Sequence, residues 1–159
     1  MGHLEPELTV TQSVLDRLID EDPKSSSDPA ITHAQSLRQF KADIKRDLEW
    51  LLNTRQTPVP APEEFQEASR SVFNYGLPDI AAMVVHSSAD RNRLLWMIEN
   101  AIRRYEPRIA NVRVVLDSVP GAGRTLRFRI EGMMRVDPAP EQVSFDTVLE
   151  LTSGEYQVK

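Results

Sequence analysis

The stretch Ser88 to Ile109, SADRNRLLWMIENAIRRYEPRI, decides the fold of this chain. Its apolar residues recur at the spacing of one face of an α-helix. Pro107 then disfavours helical geometry at the residue before it. The pattern therefore predicts a helix that begins near Ser88 and passes directly into a strand after Arg108. The apolar face consists of Leu94, Leu95, Ile98, Ala101, Ile102 and Tyr105.

The tripeptide Glu106-Pro107-Arg108, called the corner below, lies where the predicted helix meets the predicted strand. Proline fixes its own φ and removes a backbone donor, so the chain must leave the helix there. A carboxylate and a guanidinium flank this rigid point. On the residues alone, the plain interpretation is a helix stop with a local ion pair, which contributes little to stability when exposed.

Composition and charge are those of a water-soluble globular domain. The 159 residues suit one domain, and 40% hydrophobic with 27% charged residues is ordinary for such a protein. Residues 1–30 hold seven acids against two bases, whereas the remainder balances 17 acids against 17 bases. The body therefore has no strong field that would attract nucleic acid or anionic lipid, and the acidic segment would be repelled by both.

The sequence also lacks the marks of other protein classes. Without cysteine there is no disulfide framework and no thiolate metal site. The longest apolar runs are far too short to span a bilayer, and the first ten residues lack the regions of a signal peptide. We expect a cytoplasmic location, with no membrane insertion and no nucleic-acid partner.

We divide the chain into an acidic N-terminal arm, residues 1–30, and a single domain, residues 31–159. The arm contains a short amphipathic helix. A helix of this length is marginal alone, so we expect its apolar stripe to dock on the body or on a partner. The stripe is Val14, Leu15, Leu18 and Ile19.

A long helix is predicted from about Thr32 to Thr54. Thr32 and Gln35 have the spacing of a capping box. One face is apolar and predicts core scaffold, while the charged residues between are expected to face solvent. The apolar residues are Leu37, Phe40, Ile44, Leu48, Leu51 and Leu52, and the charged ones are Lys41, Lys45, Arg46, Asp47 and Glu49.

The middle of the chain is dense in proline and glycine. Pro58, Pro60 and Pro62 alternate, which favours a stiff connector over a ligand for a proline-binding module. The sequence SVFNYGLPD, residues 71–79, predicts an ordered loop that feeds a short helix around 79–84. In this loop Asn74 and Gly76 tolerate positive φ, and we expect Val72, Phe73, Tyr75 and Leu77 to be its apolar anchors.

Three strands are predicted after the corner, at about residues 109–119, 125–136 and 142–151. Their short connections imply an antiparallel meander. Its apolar face needs a cover, which the two long helices supply. The fold class is therefore α+β, with helices packed on one face of a small antiparallel β-meander at the C-terminal end. Arginines on these strands are expected to pair across them with Glu131, Asp146 and Glu150.

Motifs for catalysis or ligand binding are missing. His3, His33 and His86 do not have the spacing of metal ligands on a shared element. The stretch Gly121 to Thr125 lacks the lysine of a phosphate-binding loop and joins two strands, so we interpret it as a hairpin turn. No serine lies in a nucleophile-elbow motif, and with 24 acids the mere presence of carboxylates predicts no glycosidase pair. We expect no catalytic residues, cofactor, metal or small-molecule substrate.

Several segments in order resemble TssE, the baseplate wedge family of the bacterial type VI secretion system. This family is related to the tail-lysozyme-like wedge protein of contractile phage tails. The resemblance rests on SVFNYGLPD at 71–79, RRYEPR at 103–108, and the strand meander. KRDLEWLLNTR at 45–55 and LDRL at 15–18 are also similar. The resemblance covers about residues 13–152, and Phe73 departs from the aliphatic residue expected there.

The resemblance implies a structural role without hydrolase activity. Proteins similar to TssE sit in the baseplate wedge with the larger subunits TssF and TssG, and they provide the platform on which the contractile sheath starts. The Glu-Pro-Arg signature of the family falls on Glu106, Pro107 and Arg108, which makes the corner a docking site. The loop supplies the further expected partner-binding residues, which are Asn74, Tyr75 and Gly76.

Strand pairing between neighbouring subunits is a further implication of the resemblance. In a three-strand meander the first and third strands lie at the edges, where unpaired backbone groups can bind another strand. We expect the third strand, about Gln142 to Leu151, to be the one used, since it lies near the C-terminus.

Two alternative functions stay open. A peptidoglycan hydrolase, which the family's lysozyme-like name suggests, would need a cleft with convergent carboxylates of raised pKa. A free-standing adaptor would need an exposed proline stretch at residues 58–62.

Overall fold

A computed structural model describes residues 10–19, 23–24, 31–59, 61–62, 64–80, 87–117 and 125–159. Helices and strands follow one another in two blocks, which confirms the α+β class. The helices are α1 (Val14–Leu18), α2 (His33–Asn53), α3 (Gln66–Arg70), a 3-10 helix (Val72–Asn74) and α4 (Ser88–Tyr105). The strands are β1 (Ile109–Leu116), β2 (Thr125–Met134), β3 (Glu141–Glu150) and β4 (Glu155–Val158).

The sheet is antiparallel, with the strands in the order β1-β2-β3-β4. The prediction of three strands is wrong by one, because β4 folds back on β3 through a turn that contains Gly154 at φ 72. This strand pairs with residues 147–150 only, so the C-terminal half of β3 is not an edge. The expected cross-strand pairing is present where Arg129 Nε donates to Asp146 Oδ1 at 2.8 Å.

Helix α2 begins and ends where its sequence predicts. Thr32 caps the helix and shares a complete capping box with Gln35. The predicted apolar face is buried from Phe40 to Leu52, with Leu37 partly buried at its start. The prediction that Arg46 and Asp47 point to solvent is wrong, since both are half-buried in an ionic network described below.

Helix α4 also follows its predicted pattern, with Ser87 as the N-cap. Leu94, Ile98, Ala101 and Ile102 are buried in one core with the inward residues of the sheet. The chain leaves the helix at Glu106 and enters β1 three residues later, so α4 packs directly beside β1. This short connection holds the corner rigidly between helix and sheet.

The segment between the long helices agrees only in part with its prediction. Leu77 is buried and Tyr75 packs on the core, but Val72 and Phe73 are 86% and 55% exposed and anchor nothing. Asp79 and Ile80 are not helical, and the rest of the short helix expected around 79–84 lies outside the described residues. The turn expected at 121–125 also falls outside them, apart from its last residue.

Within the described part of the chain, no helix is long and apolar enough to cross a membrane.

Candidate partner-binding site

At the corner, the side chain of Glu106 folds back onto Arg108. Glu106 closes α4 by donating its backbone N–H to Ile102 O at 2.8 Å. Its Oε1 accepts from the backbone N and from Nε of Arg108 at 3.2 and 2.7 Å, and its Oε2 accepts from Nη2 at 2.5 Å. Glu106 is only 4% exposed, so this is a buried, two-pronged ion pair, whereas Pro107 faces solvent. The sequence therefore predicted the pair but not its burial.

Arg108 also reaches beyond the corner to two other elements. Its Nη2 donates to Asp47 Oδ2 on α2 at 2.5 Å, and its Nη1 lies 3.6 Å from Asp16 Oδ2 on α1. Its guanidinium lies 5.7 Å from the centre of the Phe40 ring, within the range of a cation–π contact. A single side chain thus links the corner, the core helix and the N-terminal arm.

Arg46 continues the same network from α2. Its Nη2 contacts Asp16 Oδ1 at 2.5 Å and Asp47 Oδ1 at 2.8 Å, and its Nη1 lies 3.7 Å from Asp43 Oδ1. Its guanidinium stacks 5.0 Å from the ring of Trp50. The network, called the arginine network below, consists of Arg46 and Arg108 with Asp16, Asp43, Asp47 and Glu106.

The arginine network brings four carboxylates to two guanidinium groups, and the pKa shifts of its members result from burial together with hydrogen bonds and neighbouring charges. Burial acts to raise the pKa of Asp16, but hydrogen bonds from Ser13 and Arg46 outweigh it, so the pKa lies below its ordinary value. Burial raises the pKa of Asp43, and the negative charge of Asp16 adds to this effect. Burial opposes the charge on Arg108, yet Glu106 and Asp47 raise its pKa above the usual range.

The arm docks by charge, which corrects its predicted mode of docking. The expected stripe faces solvent, with Val14 and Leu18 74% and 76% exposed. Instead the Asp16 side chain, 2% exposed, inserts between Arg46 and Arg108. Nearer the N-terminus, Val10 N donates to Ser36 Oγ at 2.8 Å. Among the described residues, the ion pairs of Asp16 and the hydrogen bonds between Val10 and Ser36 therefore hold the arm on the body, and the side chain of Val10 packs against the core.

We expect Asp16→Asn to release the arm at neutral pH while the body stays folded, because both arginines keep other carboxylate partners. In the wild type, the docked pKa lies below the ordinary one, so the docking energy is present at pH 7 and declines below about pH 4. Amide hydrogen exchange across residues 10–19 measures this, with Asp137→Asn in an exposed turn as the control. Equal protection in both variants would contradict the role of Asp16.

The loop residues that were expected to bind partners have structural tasks of their own. Asn74 is buried, and its side chain accepts from Ala61 N and donates to Ser69 O, both at 3.0 Å. It lies in the 3-10 helix and does not adopt the positive φ that asparagine tolerates. Gly76 does have a positive φ, at 107°.

The loop and the corner come together through a pair of aromatic rings. Tyr75 packs edge-on against Tyr105, the last residue of α4, with ring centres 5.2 Å apart. Tyr105 Oη also donates to Ser71 O at 3.4 Å. The structure therefore places Asn74, Tyr75 and Gly76 next to the helix that carries the corner.

Four members of the arginine network were missed by sequence reasoning, namely Asp16, Asp43, Arg46 and Asp47. A signal existed for two of them. Asp43 and Asp47 follow Phe40 by three and seven residues, which places them on the flank of the buried face of α2. No group of acids and histidines among the described residues could hold a metal ion.

A groove of about 720 Å³ opens on the side of α4 that faces the loop. Asn74, Gly76 and Tyr105 contribute to its wall, together with three arginines, Arg70, Arg103 and Arg104. No carboxylate lines it among the described residues. The arginine network is therefore a charged support at the corner, separate from this cavity.

Together these features define an α+β domain whose helix–strand junction is fixed by buried charge. The chain belongs to the baseplate wedge protein gp25 family, which matches residues 38–139. The resemblance to a baseplate wedge family is thereby confirmed. The match includes most of α2, all of α4 and the corner, and both β1 and β2.

A chain in a solved structure, "The baseplate complex from the type VI secretion system", is similar in three dimensions. The similarity covers 70% of this chain and 94% of that chain, with 18% sequence identity and a TM-score of 0.47. No curated protein sequence matches the chain.

Proposed function

We propose that this chain is a non-enzymatic structural subunit of a bacterial type VI secretion baseplate, assembled in the cytoplasm. In this proposal it binds the wedge subunits TssF and TssG through the corner and the adjoining loop, and it offers a sheet edge on which the contractile sheath starts. The family match over residues 38–139 carries the baseplate role. The TssE-like sequence motifs of the loop and the corner support the secretion system in particular.

The state of the carboxylates supports a role without catalysis. Asp43 is the described carboxyl group whose pKa is raised, and it is 3% exposed beneath Arg46, away from the groove. Asp47 and Glu106 are held by arginines, and the groove has no described carboxylate in its wall. A hydrolase would need convergent carboxylates at a cleft. No observation favours a hydrolase here.

The corner retains groups that a wedge partner could use. Pro107 is exposed at its tip, and Arg108 lies behind it with Nη1 buried 3.6 Å from Asp16 Oδ2. We therefore assign Pro107 as the contact surface, with Arg108 behind it as a charged support.

Co-purification tests the wedge assignment. The tagged chain, expressed in cells with intact secretion genes, should retain TssF and TssG after a wash at physiological salt. Recovery of the chain without either subunit, in cells that assemble baseplates, would overturn the proposal.

Side chains block two possible sheet edges. On β1, Val114 N donates to Glu99 Oε2 and Val112 O accepts from Arg103 Nη2, both at 3.2 Å. On β4, both backbone groups of Tyr156 bond to the side chain of Asn53 at 2.8 Å. A partner strand would have to displace these bonds.

By comparison, the first half of β3 has backbone groups that are available for pairing on one edge. Lys159 N donates to Asp146 O at 2.7 Å, so the backbone of Asp146 faces the β4 side. Backbone groups two residues apart point to the same edge, which puts the N–H of Ser144 on that side too. Strand β4 does not extend that far among the described residues. We therefore propose residues 141–145 as the segment that pairs with the sheath.

Ser144→Pro should leave the protein folded and abolish sheath nucleation. Proline removes the N–H that faces the open edge, and edge positions tolerate it. Phe145→Pro should unfold the protein instead, since Phe145 bonds toward β2 and is buried. Thermal melting and fluorescent sheath foci in cells measure the two effects, and Ser144→Ala is the control that keeps the N–H. Normal foci with a folded Ser144→Pro protein would exclude this edge.

A further inference from the structure

The groove beside α4 has a charge opposite to that of the chain as a whole. Its wall carries Arg70, Arg103 and Arg104, whereas the chain has a net charge of −5. Arg103 pairs with Glu99, so one of the three arginines is already engaged. Arg104 makes one contact, from Nη1 to Ser69 O at 3.3 Å, and no described carboxylate pairs with Arg70 or Arg104. Two cationic groups are therefore available in one cavity.

Two further residues make the groove suited to a peptide. Trp96 lines it and is 65% exposed, which is unusual for so large an aromatic side chain. Asn100 Nδ2 also belongs to the wall residues and is buried without a hydrogen-bond partner in the described part of the chain. A buried amide donor requires an acceptor such as a backbone carbonyl. The indole ring offers a flat apolar surface to a side chain.

We propose that this groove binds an acidic peptide segment of a partner protein. Two carboxylates of the segment would pair with Arg70 and Arg104, one of its carbonyls would accept from Asn100 Nδ2, and an apolar side chain would cover Trp96. The volume, about 720 Å³, lies within the usual range of ligand sites. Nucleic acid is disfavoured, because the chain carries net charge −5 and the groove contains few cations for a phosphate backbone.

This inference rests on the proposed function in one respect, which is that Asn74 and Gly76 belong both to the groove wall and to the expected partner-binding loop. The groove lies on the loop side of α4, while the arginine network lies against α2. A partner that binds the corner could therefore reach the groove with a second segment. The two contacts can be tested separately.

The test uses a fluorescein-labelled peptide, Glu-Leu-Glu-Asp-Leu-Glu with blocked termini, and the purified full chain. We expect saturable anisotropy binding that weakens about tenfold or more in Arg70→Glu and in Arg104→Glu, because each reversal places like charges together. Arg38→Glu is the matched control, since it makes the same charge change on an exposed part of α2. It should change the affinity less than about twofold at physiological salt.

Four results with the peptide would overturn the inference. The first is that Arg38→Glu weakens binding as much as the groove variants do, and the second is that the amide peptide Gln-Leu-Gln-Asn-Leu-Gln binds as tightly as the acidic one. The third is that a chain without residues 1–9 binds the peptide more tightly than the full chain. The fourth is that no binding is seen at about 1 mM. The third would show that residues 1–9 of the chain itself compete for the groove. If a thymidine oligonucleotide binds with the same dependence on Arg70 and Arg104, the ligand of the groove is a nucleic acid and not a peptide, which also overturns the inference. Since only purified protein is used, failure here leaves co-purification with TssF and TssG unaffected.

Discussion

Arg108→Ala should lower the free energy of unfolding by about 3–5 kcal/mol, the usual cost of breaking a buried ion pair from one side. Glu106 is 4% exposed and receives hydrogen bonds from three nitrogen atoms of Arg108. Without the guanidinium, its carboxylate keeps only the backbone donor. Asp47 and Asp16 lose a partner as well, so excess negative charge remains next to the core.

Two further variants separate this effect from partner binding. Glu106→Gln combined with Arg108→Met removes both charges, and we expect it to be more stable than Arg108→Ala, because no buried charge is left unpaired at the corner. Pro107→Lys changes the exposed tip and leaves the ion pair intact, so it should cost no more than about 1 kcal/mol. Pro140→Lys, at an exposed proline of another turn, is its control.

Urea unfolding and co-purification with TssF and TssG measure these outcomes. Pro107→Lys should remain folded and lose the wedge subunits, whereas Pro140→Lys should keep them. If Arg108→Ala unfolds at the same urea concentration as the wild type, the arginine network does not stabilise the fold. If Pro107→Lys still recovers both subunits, the corner is not their docking surface.

The features that the sequence predicted well are those that repeat along the chain. The apolar faces of α2 and α4 recur every three or four residues over five to six turns, and the capping box places the start of α2 at Thr32. Pro107 marks the end of α4 because proline geometry is local. Such signals require no knowledge of the tertiary contacts, so they survive in the sequence alone.

The features that the sequence missed depend on contacts between distant residues. Asp16 meets Arg46 across 30 positions, and an ionic contact leaves no periodic trace. The amphipathic pattern of α1 therefore suggested the wrong face for docking. Strand β4 was missed for a different reason, since its four residues offer only Tyr156 and Val158 as inward positions. Two alternating residues cannot be distinguished from a loop.

The expected partner-binding residues include local features, which the sequence predicted, and contacts between distant residues, which it missed. Glu106 and Arg108 were paired correctly from adjacency, but their burial depends on α1 and α2, which lie far away in sequence. Asn74 tolerates a left-handed turn conformation but does not adopt it, and its amide instead bonds the loop to Ala61 and Ser69. Gly76 does adopt the positive φ that its residue type permits, because this is a local requirement that glycine meets at low cost.

Gly76→Ala should destabilise the protein by about 3–5 kcal/mol, more than the backbone conformation alone accounts for. Gly76 has φ 107°, and a Cβ there would lie 2.3 Å from Thr54 O and 2.8 Å from Thr54 C. These are backbone atoms at the end of α2, and Thr54 O accepts from Leu77 N at 2.8 Å. To make room, the chain would have to break this bond and separate the loop from α2.

Gly154→Ala is the matched control for this variant, since it also has positive φ, at 72°, but its nearest foreign atom would be Arg55 Nη2 at 3.9 Å. Only the left-handed conformation is penalised there, at about 1–2 kcal/mol. Urea unfolding of both variants separates the steric cost from the conformational one, and equal losses would show that contact with Thr54 is unimportant. Because Tyr75 joins this loop to Tyr105 and the corner, any folded fraction of Gly76→Ala should also recover less TssF and TssG than Gly154→Ala does.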